Sequence, residues 1–137
     1  MTSYAELCDI AENDDILIIN GKLHKAPSIA ICDEGECAII FDESKIKSTS
    51  KRIVCMAHEL GHCETMSFYD ENTLETRPRM EYRANKWAIN KLLPKDEMEE
   101  AMEQGYEELW ELSEYFDVSE DMVKFAFWVY FDIIKER

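Results

Sequence analysis

An α+β fold is what this sequence predicts, and three observations predict it. Short β-branched and apolar runs are confined to the first third, at Ile16-Leu17-Ile18-Ile19, Ser28-Ile29-Ala30-Ile31-Cys32 and Cys37-Ala38-Ile39-Ile40-Phe41. From Ser48 onward the apolar residues recur at helical spacing instead. Where the two regimes meet, Val54-Cys55-Met56-Ala57-His58-Glu59-Leu60-Gly61-His62-Cys63 sets two histidines four residues apart. The expected architecture is a small antiparallel sheet packed on the histidine-bearing helix and on a second helix, followed by a helical C-terminal part.

The elements follow in order. Leu7, Ile10 and Ala11 with acidic residues between them make Thr2 to Asn13 a short amphipathic helix. The run Ile16 to Ile19 reads as a strand that stops at the turn dipeptide Asn20-Gly21, and its uniform apolarity predicts burial on both faces. Asp33-Glu34-Gly35-Glu36 joins the next two runs as a β-hairpin. Ser48-Thr49-Ser50 offers N-caps for the motif helix, whose apolar stripe is Ile53, Met56, Ala57 and Leu60. Gly61, without a Cβ, allows a neighbouring backbone close to the histidines. Ser67 to Thr76 is polar with Phe68 and Tyr69, a loop over the site.

A second long helix runs between Pro78 and Pro94. Asp96 with Glu99 resembles a capping box for the next helix, and Gly105 separates that from Tyr106 to Phe116. Ser119 caps a last helix carrying Val123, Phe125, Phe127, Trp128, Tyr130, Phe131 and Ile134, with Lys135 and Arg137 at its end. One domain is expected over residues 1–137, with sheet and motif helices in 1–94 and a helical subdomain in 95–137.

The totals narrow the function classes. A length of 137 residues supports one core, and a net charge of −15 repels phosphate backbones and anionic membranes, so direct nucleic-acid binding and membrane association are not expected. The five cysteines, an odd number with no C-x-x-C pair, fit a reducing compartment better than a disulfide framework. No signal-peptide pattern opens the sequence, and a cytoplasmic location is expected.

The chemistry lies in H-E-x-x-H. On a helix His58 and His62 fall about 40° apart, with Glu59 roughly 60° beyond His62. Two imidazoles one turn apart suit a zinc ion, and the intervening carboxylate can take a proton from a water held there. An open zinc site needs a third protein ligand. Glu81, on a helix face otherwise made of Ala84, Asn85, Ala88 and Leu92, has the right chemistry, and Asn85 could orient a ligating histidine. Cys55, one turn before His58, could instead close the site as a fourth, structural ligand. Tyr69, Tyr82 and His24 are candidates for stabilising an oxyanion, although a lone histidine such as His24 is ordinarily a surface residue.

His58-Glu59-Leu60-Gly61-His62, then Glu81-Tyr82-Arg83-Ala84-Asn85-Lys86-Trp87-Ala88, then Leu92-Leu93-Pro94 together form a pattern. With it the chain resembles the ImmA/IrrE family of metallopeptidases, the kind carried by phages and integrative elements. The likeness runs nearly end to end, through Phe116-Asp117-Val118-Ser119 in the helical tail. It implies a zincin-like fold, one zinc ion on His58, His62 and Glu81, and Glu59 as general base. The implied partner is a protein substrate, a helix-turn-helix repressor that members cleave or cause to be cleaved. The chain departs from many members in having Cys63-Glu64-Thr65 where an apolar pair and another histidine are frequent, and the family's occasional fused helix-turn-helix domain is not expected in it. The rival expectation is a regulatory binding protein with a structural or vestigial zinc site. A general intracellular peptidase is a third.

Overall fold

In the computed structural model, residues 2–68 and 77–136 are described. Helix α1 (Tyr4–Asn13) is capped by the Ser3 hydroxyl and leads into strand β1 (Leu17–Asn20). Strands β2 (Ser28–Asp33) and β3 (Glu36–Phe41) form the expected hairpin around Glu34 and Gly35. A single 3₁₀ turn (Glu43–Lys45) precedes α2 (Thr49–Glu64), which carries the histidine pair and starts at the Ser48 cap. Then come α3 (Arg77–Leu92), α4 (Lys95–Glu103), α5 (Leu109–Phe116) and α6 (Glu120–Phe131).

The sheet is mixed rather than antiparallel throughout. Its order is β1-β3-β2, with β1 parallel and β2 antiparallel to β3. The Gly21 amide continues the β1–β3 pairing by donating to the Phe41 carbonyl at 2.8 Å, and the chain then crosses to the far edge instead of turning back. The hairpin then returns β3 into the middle. This leaves β1 at an edge, and the predicted burial on both faces fails: Leu17 is 61% exposed. Among the described residues the covered face is the one bearing Ile39 and Phe41, under α2, whose Met56, Ala57 and Leu60 have no exposed surface. Burying each such large side chain contributes about 1.5–3 kcal/mol, so this one-sided contact holds the motif helix on the sheet.

On its other side α2 packs against α3 through Ala84 and Ala88, both fully buried. A Cβ built on Gly61 would stand 2.3 Å from the Ala84 carbonyl oxygen, so the two helix backbones touch. The alanine face and the glycine expected to admit a backbone are thus the two halves of one contact.

The C-terminal helices begin slightly differently from expectation. Helix α4 starts at Lys95, so Asp96 already lies inside it and accepts only from the Glu97 amide, at 2.9 Å, instead of forming a capping box. Ser119 does cap α6, accepting from the Met122 amide at 3.2 Å. That helix stops at Phe131, where Asp132 adopts φ 56°, so Lys135 lies past its end and stacks over the Phe127 ring instead. Val123, Ala126 and Phe127 are its buried side, whereas Trp128 is 48% exposed. No helix among the described residues is long and apolar enough to cross a membrane.

Candidate metal centre

The sequence of α2 dictates the site's two-sidedness. Its apolar stripe turns one side to the sheet, and the adjacent side carries His58, Glu59 and His62 into a cleft of about 610 Å³. The cleft's opposite wall is β2 from Ser28 to Cys32, and Ser67, Phe68 and Glu81 complete it. Strand β2 pairs with β3 alone among the described residues, so its outer edge is the one that faces this opening.

Both histidines have their Nδ1 atoms engaged. His62 Nδ1 lies 2.5 Å from the Ser67 carbonyl oxygen, and His58 Nδ1 lies 2.7 Å from Asn85 Oδ1. A carbonyl oxygen only accepts, so the Nδ1 of His62 carries the hydrogen and donates it; the Asn85 oxygen sets His58 the same way. The Nε2 atoms are the ones left for the cleft, and both converge on Glu81. Its Oε2 is 3.0 Å from His58 Nε2 and its Oε1 is 3.3 Å from His62 Nε2. The two rings are 4.8 Å apart between centroids and nearly perpendicular.

The ligand atoms of His58, Glu59 and His62 all lie within 4.8 Å of one another, a group that could hold a metal ion. Glu59 is buried, and Ser28 donates its hydroxyl to Oε2 at 2.7 Å. Burial pushes the Glu59 carboxyl up from the usual carboxylate range, against the opposing pull of the two histidines and the Ser28 hydroxyl. Burial alone would push the His58 imidazole down. The hydrogen bond to the Glu81 carboxylate and the charges of Glu59 and Glu81 outweigh it, and its pKa is raised.

Helix α3 delivers Glu81 and Asn85 from the same face, one turn apart, at a height set by the Gly61–Ala84 contact. Ser67 is held in turn: its hydroxyl accepts from Arg83 Nε at 3.1 Å and lies 2.6 Å from Thr65 Oγ1. Ser28 and Ser67 had no signal in the sequence. One acts through a hydroxyl on a distant strand and the other through its main-chain carbonyl, for which any residue type serves.

The remaining candidates lie elsewhere. Cys55 is buried, burial raises its thiol, and it interacts with Ser28 and not with the histidines. His24 is exposed and does not line the cleft. Tyr82 points to α6, its ring 5.7 Å from Phe125 and 5.8 Å from Trp128. Tyr69 and residues 70–76, the greater part of the stretch expected as a loop over the site, fall outside the described residues.

Comparison with known proteins gives a single finding. Residues 15–127 match the profile of the IrrE N-terminal-like domain, a peptidase family. No curated protein and no solved structure gives a significant match.

Proposed function

The chain belongs to the IrrE N-terminal-like peptidase family, the ImmA/IrrE family, and from that premise we propose that it is a zinc-dependent endopeptidase with Glu59 as its general base. The observation that carries this reading is the pair of engaged Nδ1 atoms, which leaves both Nε2 atoms for one point shared with the Glu81 carboxylate. Two neutral imidazoles and one carboxylate are the donor set of an open catalytic zinc site. His58, His62 and Glu81 would hold the ion, and it would supply Lewis acidity and a water acidified towards neutral pH.

The protein's own groups then divide the work. Glu59, ionised and aimed by the Ser28 hydroxyl, accepts the proton of the attacking water and returns it to the leaving amine. Its burial keeps the carboxyl basic enough for that exchange. Asn85 and Ser67 fix the two imidazoles so that they need not reorganise. An extended peptide would add its main chain to the outer edge of β2 and so lie across Glu59. Kinship with the ImmA/IrrE family supports a helix-turn-helix repressor of a phage or mobile element as the substrate.

The test is incubation of the full chain and zinc with the repressor encoded beside its gene, read by intact mass. Two fragments are expected from the wild type. The Glu59→Gln protein should bind the same zinc and yield none, a loss of about 10²–10⁴ or more in rate. His62→Ala should lose the zinc as well. An active Glu59→Gln protein overturns the mechanism. Equal cleavage of a panel of unrelated unfolded proteins would replace the dedicated substrate with general peptidase activity.

A further inference from the structure

Three of the five cysteines meet at one end of the contact between α2 and the sheet. Strand alternation places Cys32 and Cys37 on the same face as Ile39 and Phe41, turned toward α2. Cys63, in the last turn of α2, approaches from the other side, and the Cys37 thiol interacts with those of both Cys32 and Cys63. All five cysteines are free thiols. The proposed peptidase chemistry uses none of them.

Cys32 and Cys37 are direct cross-strand partners. The turn that joins their strands is held by Glu34 at φ 52° and Gly35 at φ 82°, the left-handed pair of a tight two-residue hairpin. In such a hairpin the flanking pair, Asp33 and Glu36, exchanges hydrogen bonds, and the next pair outward does not. Non-hydrogen-bonded partners have Cα atoms about 4.5 Å apart. That is inside the span of about 4.4–6.8 Å that a disulfide tolerates. A soft metal ion is a poorer occupant, because among the described residues the ligand atoms gathered within 4.8 Å of each other are those of His58, Glu59 and His62. Cys63 is 5% exposed and anchored in a packed helix, so it is the less mobile of the possible partners for Cys37.

We propose that Cys32 and Cys37 form a reversible dithiol–disulfide site whose oxidant is a hydroperoxide. Cys32 lines the cleft, and Cys37 lines a separate hollow beside it, so small oxidants reach the pair from both sides. The Cys32 sulfur attacks one peroxide oxygen, the O–O bond breaks, and water leaves with a sulfenic acid formed. The Cys37 sulfur then attacks the Cys32 sulfur and displaces the hydroxyl as a second water. Two thiols lose two electrons and two protons, and hydrogen peroxide becomes two waters. The new bond staples the edge strand that walls the cleft to the centre of the sheet. The proposal stands on the hairpin, and it survives or fails independently of the peptidase reading.

The experiment treats the full chain with hydrogen peroxide and follows intact mass under denaturing conditions. The expected product is lighter by two hydrogens and returns to the starting mass with dithiothreitol. Digestion after glutamate cuts between the two cysteines at Glu34 and Glu36. It should release a Cys32 peptide joined to a Cys37 peptide. In Cys37→Ser the same treatment should leave a sulfenic acid on Cys32 that dimedone traps. A bridge to Cys63, over-oxidation of Cys32 with Cys37 still reduced, or no reaction under conditions that oxidise the urea-unfolded chain would each overturn the proposal.

Discussion

The hydroxyl of Ser28 stands 2.7 Å from Oε2 of Glu59, and it reaches that carboxylate from the edge strand, across the cleft. The bond favours the ionised form of a carboxyl that burial otherwise pushes toward protonation. Ser28→Ala therefore raises the Glu59 pKa further. On the proposed mechanism the acidic limb of the pH–rate profile moves to higher pH by about one pH unit, the equivalent of one hydrogen bond to a charged group. A profile that keeps its acidic limb in Ser28→Ala would remove this serine from the site's working parts.

Asn85 touches the proposed metal only through His58, whose Nδ1 is 2.7 Å from its side-chain oxygen. Replacement by Ala leaves the imidazole free to rotate and to choose the wrong tautomer. Zinc affinity, measured by competition with a chelating dye, should fall about 10–100-fold. Equal affinities in the two proteins would show that the packing around His58 alone orients it.

Much of this was legible in the sequence. Local chemistry announced itself: the caps Ser48 and Ser119, the Glu34-Gly35 turn and the alanine face of α3 depend on residues a few positions apart. The four chemical groups of the motif and Glu81 were readable because helical periodicity turns spacing into direction. What depended on long-range pairing was not readable. The apolar run of β1 has the composition of a buried strand, yet only the path taken after Asn20 makes it an edge. Asp96 and Glu99 have capping-box spacing, and a helix that starts two residues earlier cancels it. The tie from Ser28 to Glu59 spans 31 positions with no periodicity to carry it.

Gly61→Ala tests how the two helices are spaced. The new methyl would sit 2.3 Å from the Ala84 carbonyl oxygen, a contact no rotamer change can relieve. Backbone movement of α3 should cost about 1–3 kcal/mol or more in stability. It should also draw Glu81 away from the imidazoles, so zinc affinity drops together with Tm. Thermal melting with and without zinc reads both. A variant with wild-type Tm and affinity would mean that α3 is not seated against α2 as described.

Asp42 is a stability probe that does not line the cleft. Its carboxylate accepts from the Leu23 amide at 3.0 Å, from the Ser44 hydroxyl at 2.6 Å and from Lys45 Nζ at 3.0 Å. These bonds, the Leu23 amide foremost, hold its pKa well below the usual carboxylate range. A depressed folded-state pKa stabilises the protein above the unfolded value, about 3.9, and the contribution is lost as pH falls through the folded value. Asp42→Asn should accordingly lower Tm at pH 7 and lower it less at pH 3. A deficit that is the same at both values would contradict the assignment.

Where Gly61 meets Ala84, main chain rests on main chain with no side chain interposed. The gauge between the imidazoles and Glu81 is therefore written in backbone, which mutation elsewhere can hardly edit. Exchanges of core or surface side chains away from this contact leave the spacing of the donor atoms to the two main chains that set it.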